Sequence, residues 1–478
     1  MIKRIIKFIL YLVSVVVVTM TFCFSYQVLS DSFPVEDVND GHSFHNLPQN
    51  SIDVLVLGSS HSQYSFSPAY FYQDSGLYSY VLGSPCQPLS ISYNMLKEGL
   101  KTQSPSVVVL EVFTAMPLKT GCDGVVCYIE AGFQMRGEEK YDTLKYLPED
   151  KQEVYLNPFL ASHNNWVNDE TTVDSIVESS KNSFNKLING EETNVENVSS
   201  EFGFVRNYPE YPVENSWYAT RLKHMEDVEL LKEDTRALNN IYKLCESKGI
   251  QLLLYKTPID SLDDLNLSYL EKVWEWADSK NIPFIDLVEK SKEIDFQMCI
   301  QSSSYHSYIN GASLVTRELS DYIVDNFETK HIQNEDIDKK LINSSNDLTI
   351  EYLYYETDAD KYLKRLTNYK GPILIRYNKT KKINANLEKF LEKYNVQENS
   401  MNFYDGKELI DHGESCVGIE YKGHNIYCDE SLIEIDGEVF EEKGELSIVV
   451  FNEELSNKIL INTDTNRMWQ YEFNWYGK

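Results

Sequence analysis

Apolar and polar positions divide the chain into four stretches of different texture. A basic start, Met1-Ile-Lys3-Arg4-Ile-Ile-Lys7, precedes a charge-free stretch from Phe8 to Ser30. About 20 apolar residues span a bilayer, and Phe8 to Tyr26 is close to that length. The end of the stretch lacks the small-residue pattern of a cleavable signal peptide, and Cys23 lacks the small residues expected before a lipidated cysteine. Residues 1–30 therefore read as an uncut signal anchor with its basic residues cytoplasmic, and residues 31–50, polar and turn-rich, as a stalk. Short apolar runs then predict strands at Val54–Leu57, Tyr80–Leu82, Val107–Val112, Ile250–Tyr255 and Pro283–Asp286. Helical periodicity separates them at Ser90–Lys101, Met225–Lys248, Tyr269–Lys280 and Ala312–Asn326. Strands alternating with helices over residues 51–330 indicate an α/β domain with a mainly parallel sheet and helices on both faces. The alternation breaks at an aromatic, acidic insert, about 114–221, of a kind that often serves as a lid. After Asn334 come helical patterns at Ala359–Tyr369 and Asn384–Tyr394 around a strand at Ile373–Tyr377. Short β-runs punctuated by Asp405-Gly406, Lys422-Gly423 and Asp436-Gly437 follow, so residues 335–478 read as a small β-rich accessory domain.

Composition narrows the functional classes. A formal charge of −30 excludes nucleic acid as a partner, because its phosphates would repel the chain. It also disfavours close contact with anionic lipid, which counts against a lipase acting on membranes. The 33 tyrosines read first as aromatic packing, though tyrosine faces also stack on sugars. Eight cysteines are too few for a disulfide scaffold. Cys122 and Cys127 flank Asp-Gly-Val-Val as a bridged hairpin would, and Cys416 and Cys428 bracket two expected strands in the same way. Neither pair has metal-site spacing, and no nucleotide motif is present, so no metal or other cofactor is expected.

Chemistry concentrates in Asp53-Val-Leu-Val-Leu-Gly58-Ser59-Ser60-His61. In an open α/β sheet ligands bind beyond the carboxyl ends of the strands, and a serine in the first turn there stands at the mouth of the site. A hydroxyl at neutral pH needs a base to become a nucleophile. The best base lies far downstream, in Ser303-Ser304-Tyr305-His306-Ser307-Tyr308-Ile309-Asn310-Gly311-Ala312, before an amphipathic helix. A tight turn would aim the Ser60 backbone N–H at a developing oxyanion. Thr257, in Lys256-Thr257-Pro258 after the fourth strand, falls on the same sheet edge and is a candidate wall of the substrate pocket. His61, next to the expected nucleophile, is read as shaping the turn or touching substrate rather than as the base.

Gly58-Ser59-Ser60 together with His306-x-x-x-Asn310-Gly311-Ala312 resembles the SGNH/GDSL-type hydrolases. The Gly-Ser-Ser-His form is closer to a membrane-anchored branch found among bacterial cell-envelope and exopolysaccharide acylation proteins. The resemblance spans roughly Ile52 to Asn326. It implies a flavodoxin-like, three-layer SGNH sandwich with Ser60 as nucleophile and His306 as base. It also matches Gly83-Ser84-Pro85-Cys86-Gln87 to the family's second block, making the Gly83 N–H a further oxyanion donor, with Gln87 or Asn94 as side-chain amide candidates. Two departures stand out. The acid expected three residues before the histidine is Ser303, which can accept a hydrogen bond but supplies no charge, and no third-block Asn follows Val107–Val112. Near the C-terminus, Gly444-Glu-Leu-Ser-Ile-Val-Val-Phe-Asn resembles the interleukin-like inducer domain, which would imply a binding or assembly role.

Together these features predict an extracytoplasmic serine esterase or O-acyltransferase acting on a cell-surface or exported polysaccharide, single-pass in the cell membrane. The alternative is a catalytically degenerate surface protein of the same fold that binds glycan or an acyltransferase partner.

Overall fold

The structure, a computed structural model, describes residues 2–31, 41–115, 124–156, 181, 195–208, 228–258, 264–290, 300–301, 306–356, 359–378, 385–413, 416–441, 446–455, 458–462 and 467–469. Ser303 and Cys122 lie outside the described residues.

Helix α1, Ile2–Asp31, is followed by α2, Gly41–His45. The α/β unit then runs β1 Val54–Gly58, α3 Ser60–Ser65, α4 Pro68–Ser75, β2 Ser79–Gly83, α5 Leu89–Gly99 and β3 Val107–Glu111. Helices α6 Gly124–Phe133, α7 Glu138–Leu144 and α8 Glu149–Tyr155 lead toward α9 Lys232–Lys248. The unit closes with β4 Gln251–Lys256, α10 Asp264–Asp278, β5 Phe284–Asp286, α11 Leu287–Lys290, the short β6 Ile300–Gln301 and β7 His306–Ser307, and α12 Ile309–Asn326.

Strands β1 to β5 form one sheet in the order β2-β1-β3-β4-β5, with every pair parallel. Parallel strands are buried on both faces, which is why they are continuous apolar runs rather than alternating ones. Here Leu55, Leu57, Leu82, Val108 and Leu110 pack against α5, α9 and α10. Their neighbours Val54, Val56, Val81 and Val109 face the other way, against Val315, Leu319 and Ile323 of α12. The chain order reverses between β1 and β3, which places a crevice at their carboxyl ends.

The C-terminal region contains an element absent from the sequence reading: α13, Glu335–Tyr355. Asn334 caps it, its side chain accepting from the Asp336 and Ile337 N–H groups at 3.1 Å each. Its apolar residues serve two cores, which blurs a single helical stripe. Ile337 and Leu341 join the core of the parallel sheet, whereas Leu348, Ile350 and Leu353 join that of the second sheet. Helices α14 Ala359–Leu366 and α15 Ala385–Lys393 flank β8 Ile373–Tyr377. Strands β9 Ser400–Tyr404, β10 Leu409–Gly413, β11 Cys416–Tyr421, β12 His424–Asp429, β13 Leu432–Ile435, β14 Glu438–Glu441, β15 Leu446–Phe451, β16 Lys458–Asn462 and β17 Arg467–Trp469 complete the described chain.

These strands make a six-stranded sheet, β10-β9-β8-β15-β16-β17, and a four-stranded meander, β11-β12-β13-β14. Lys422-Gly423 and Asp436-Gly437 turn the meander's hairpins with positive φ at both residues, the geometry that matches strand twist. Neither of the two bridges that the spacing allowed, Cys122 with Cys127 and Cys416 with Cys428, is formed. Cys127 forms no disulfide and lies on helix α6 rather than on a hairpin, because Gly124-Val-Val continues into an apolar helical stripe. Cys416 and Cys428 are free; Val417, not Cys416, opposes Cys428, so one side chain faces solvent and the other the core. Cys86 is disulfide-bonded.

The two sheets are tied through one buried cation. Arg365 of α14 donates to Gln73 Oε1 at 2.8 Å and to Asp74 at 3.2 Å, both on α4, and to the Ser313 hydroxyl of α12. Its guanidinium carbon also lies 4.3 Å from the Tyr70 ring centroid. Arg365→Ala would remove this partner from Asp74, which keeps Arg317 Nε at 3.8 Å and the Asn368 amide at 3.0 Å, for a cost of about 1–3 kcal/mol. We expect a markedly lower denaturation midpoint for the variant in a urea titration of the full chain, with Arg365→Lys falling between.

Candidate active site

Helix α3 starts where β1 ends, and its first residue is Ser60. Ser59 is the N-cap: its hydroxyl accepts from the His61 N–H at 3.3 Å, while the Ser62 hydroxyl donates to the Ser59 carbonyl at 2.7 Å. As the first helical residue, Ser60 has a backbone N–H without an intrahelical acceptor. The helix can sit this low on the sheet because no side chain intervenes at Gly58 and Gly83, which are register partners in β1 and β2. A Cβ at Gly58 would fall 2.7 Å from Glu111 Cβ, and one at Gly83 would fall 2.9 Å from Gln63 Cγ.

His306 reaches the same point from the far end of the unit. β7 pairs antiparallel with β6, Gln301 opposite His306. Asn207 brackets the strand's exit: its amide donates to the Ser307 carbonyl at 3.2 Å, and its own carbonyl accepts from the Ile309 N–H at 2.9 Å. His306 Nε2 thereby lies 2.9 Å from Ser60 Oγ across 246 residues of sequence. Burial holds the His306 imidazole below its usual range, so at neutral pH it is uncharged and free to accept the Ser60 proton.

The imidazole is packed between rings. Tyr64 lies face to face on it, centroids 4.2 Å apart and planes 7° apart. His61 meets it edge-on at 5.5 Å, and His61 is itself stacked on Phe113 at 3.6 Å. His61 is therefore an interior ring, 3 % exposed with Nδ1 unpartnered, and not a residue that faces substrate. Burial first, then the charges of Lys256 and His306, hold it well below the usual imidazole range.

Beneath Phe113 lies a buried pair that the sequence reading gave no role. Lys256 Nζ sits 4.7 Å from the Phe113 ring centroid and 3.8 Å from Glu111 Oε1, and both charged side chains are completely buried. Glu111 accepts from the Phe113 N–H at 2.9 Å and the Thr257 N–H at 3.3 Å, while Lys256 donates to the Thr257 carbonyl at 3.0 Å. Burial raises the Glu111 carboxyl and lowers the Lys256 ammonium, each opposed by the other's charge. With two N–H groups on the carboxylate, the ionised pair is the state this geometry favours.

Several expected placements change accordingly. Thr257 is completely buried, its hydroxyl 3.2 Å from that of Ser65, so it braces α3 from below rather than lining a pocket. Gln87 donates to Ser92 at 3.0 Å and accepts from Ser84 at 3.0 Å. Asn94 donates to Thr143 at 3.1 Å on α7. Neither amide is presented to Ser60 by any contact among the described residues, because Gln87 is held between Ser84 and Ser92 at the start of α5 and Asn94 points from α5 toward α7. Gly83 keeps its place at the carboxyl end of β2, its carbonyl accepting from Gln134 at 2.8 Å. A cavity of about 290 Å³ lies beside α3, lined by Gln63, Tyr80, Gln134, Glu201 and Arg206 among others. Among the described residues, no cluster of three or more His, Cys, Asp or Glu side chains could hold a metal.

No protein-family model matches the chain, and no curated protein matches it. Among solved structures, it is similar to a crystal structure from Bacteroides fragilis described as a "putative acylhydrolase", at 10 % identity and a TM-score of 0.26 over 64 % of this chain and 98 % of that one. Likeness at that level leaves fold and site to rest on the chain's own geometry.

Gly58→Ala forces a methyl into Glu111 and Ser62, an overpacking cost of about 1–3 kcal/mol. We expect a lowered melting midpoint together with a loss of Ser60 reactivity beyond what partial unfolding explains, read by comparing active-serine titration with the folded fraction at 20–25 °C, about room temperature.

Proposed function

We propose that this protein is a serine esterase or O-acyltransferase of the SGNH type, acting outside the membrane on ester groups of a cell-surface or exported polysaccharide. The observation that carries the reading is the 2.9 Å contact between Ser60 Oγ and a neutral, buried His306 Nε2 at the carboxyl edge of a parallel sheet. Ser60 Oγ attacks the ester carbonyl carbon as its proton passes to His306 Nε2. The carbonyl oxygen takes the negative charge, with the Ser60 N–H as a donor and the Gly83 N–H as a second. The tetrahedral adduct collapses, the C–O bond to the leaving alcohol breaks, and that alkoxide takes the proton from His306. The acyl-Ser60 ester then passes to water in hydrolysis, or to a sugar hydroxyl in transfer, with His306 again accepting the nucleophile's proton. No metal or other cofactor enters these steps.

Helix α1 supports the cellular setting we propose. α1 contains a window, Arg4–Phe22, with mean hydropathy 2.3, long and apolar enough to cross a membrane; a signal sequence would also pass that test. With Lys3, Arg4 and Lys7 on its cytoplasmic side, the bulk of the chain lies extracytoplasmic. A disulfide at Cys86 suits that compartment. The cavity beside α3, with amide, carboxylate, guanidinium and tyrosine groups in its lining, suits a hydroxyl-rich ligand, and the C-terminal sheets are proposed to bind glycan or a partner. A second reading, a catalytically silent glycan-binding protein, is favoured by one fact: no carboxylate among the described residues is hydrogen-bonded to His306.

A fluorophosphonate probe separates the two. We expect covalent labelling at Ser60, mapped by peptide mass spectrometry, that disappears in His306→Ala. Folded protein that takes no label would overturn the hydrolase reading and leave the binding one.

The pH dependence has a defined sign. Protonated His306 cannot accept the Ser60 proton, and its folded pKa is lowered, so labelling is lost only as pH falls below the ordinary imidazole value of about 6.5. We expect a rate that rises along an acidic limb centred below that value and is level from there through neutral pH.

A further inference from the structure

A carboxylate on Nδ1 is the usual means of holding a base imidazole in place, and its loss is costly. The described residues provide no such partner for His306, yet the ring stands in hydrogen-bonding position. What surrounds it is a set of rings. Ser60 and Tyr64 are four residues apart on α3 and therefore lie on one face of that helix, one above the other. The imidazole bridges the two positions, touching the Ser60 hydroxyl with Nε2 and lying flat on the Tyr64 ring. His61, from the same helix turn, meets the imidazole edge-on.

We propose that Tyr64 and His61 are positioning residues that hold the His306 imidazole in register with Ser60 Oγ by ring packing, where a carboxylate would otherwise orient it. The proposal rests on the reading of Ser60 and His306 as nucleophile and base. His61 can serve only because it is itself fixed, stacked on Phe113, whose ring rests over the buried Lys256 beside Glu111. Nucleophile and both positioning rings thus belong to one short helix, so the base docks against a single rigid body. The charged groups nearest the clamp are set back: Lys256 and Glu111 stand behind Phe113, and Glu130 of α6 acts on Tyr64. An aromatic pair contributes about 0.5–1.5 kcal/mol beyond its buried area, equivalent to a roughly two- to tenfold bias toward one ring orientation. Ring packing orients the imidazole without selecting its tautomer, so this clamp is a weaker device than a carboxylate.

The test uses the full chain in detergent, with histidine labelled at Cε1 for NMR titration, the His306 signal assigned by its absence in His306→Ala. Fluorophosphonate labelling of Ser60 is measured at pH 8, where the imidazole is neutral in every variant. Tyr64→Phe keeps the ring and is expected to leave both the labelling rate and the His306 titration unchanged. Tyr64→Ala, or Tyr64→Leu where the alanine variant fails to fold, is expected to slow labelling by up to about tenfold. In the same variant the His306 titration moves up toward the ordinary value as the ring gains solvent. Unchanged labelling and titration on ring removal would overturn the proposal, as would a Tyr64→Phe variant as impaired as Tyr64→Ala. If wild-type Ser60 takes no label, the nucleophile reading fails on its own, and the His306 titration still decides the clamp.

Discussion

The arrangement at Ser60 depends on how closely helix α3 approaches the sheet. Two glycines, Gly58 and Gly83, stand as register partners at the carboxyl ends of adjacent strands. Any side chain at either position would meet Glu111, Ser62 or Gln63 at under 3 Å or close to it. The space they leave lets the chain turn at once from β1 into a helix and brings the Ser62 and Gln63 side chains down onto the strand ends. Everything placed by α3 inherits that position: the hydroxyl of Ser60, the ring of His61 against Phe113 and the ring of Tyr64 over His306.

The ground under this helix is polar, which is unusual at the heart of a parallel sheet. Lys256, Glu111, Thr257, Ser65 and the Tyr255 hydroxyl form one buried set joined by short contacts. Desolvating a cation and a carboxylate is expensive, and a pair of this kind seldom adds stability compared with an apolar replacement. What it supplies is position. The carboxylate fixes the backbone after β3 through the Phe113 N–H and that after β4 through the Thr257 N–H. The ammonium supports the face of Phe113, and through it His61.

The C-terminal region is joined to this frame by packing and by charge. Helix α13 contributes to both hydrophobic cores, and the Tyr70 hydroxyl of α4 donates to the Leu348 carbonyl within it at 2.9 Å. Arg365 draws α4 and α12 together, and these are the helices that follow Ser60 and His306 respectively. Loss of the C-terminal contacts would therefore loosen the two arms that carry Ser60 and His306, although no C-terminal residue touches either among the described contacts.

Much of the frame was legible in the chain. Buried parallel strands must be apolar on both faces, so all five could be read as runs, and the abrupt Gly58-Ser59-Ser60 after the first marked the turn that bears Ser60. Positive-φ pairs such as Lys422-Gly423 announced their hairpins, because few residues tolerate that backbone. Helix α13 escaped because residues divided between two cores do not repeat on one stripe. The amides of Gln87 and Asn94 and the hydroxyl of Thr257 were misplaced because a side chain's direction is set by the partners the fold offers it: Ser84 and Ser92 for Gln87, Thr143 for Asn94 and Ser65 for Thr257. For the same reason Glu111, Lys256, Phe113 and Tyr64 carried no signal: an ion pair 145 residues apart, or a ring stacked across 242, exists only once the chain has folded. Local chemistry therefore determined the strands and the turns, and marked Ser60 and His306 as the two side chains to look for, because each follows from backbone preference and burial along the chain. Tertiary structure alone decided what holds that pair together, since packing is a property of positions in space rather than of order in sequence.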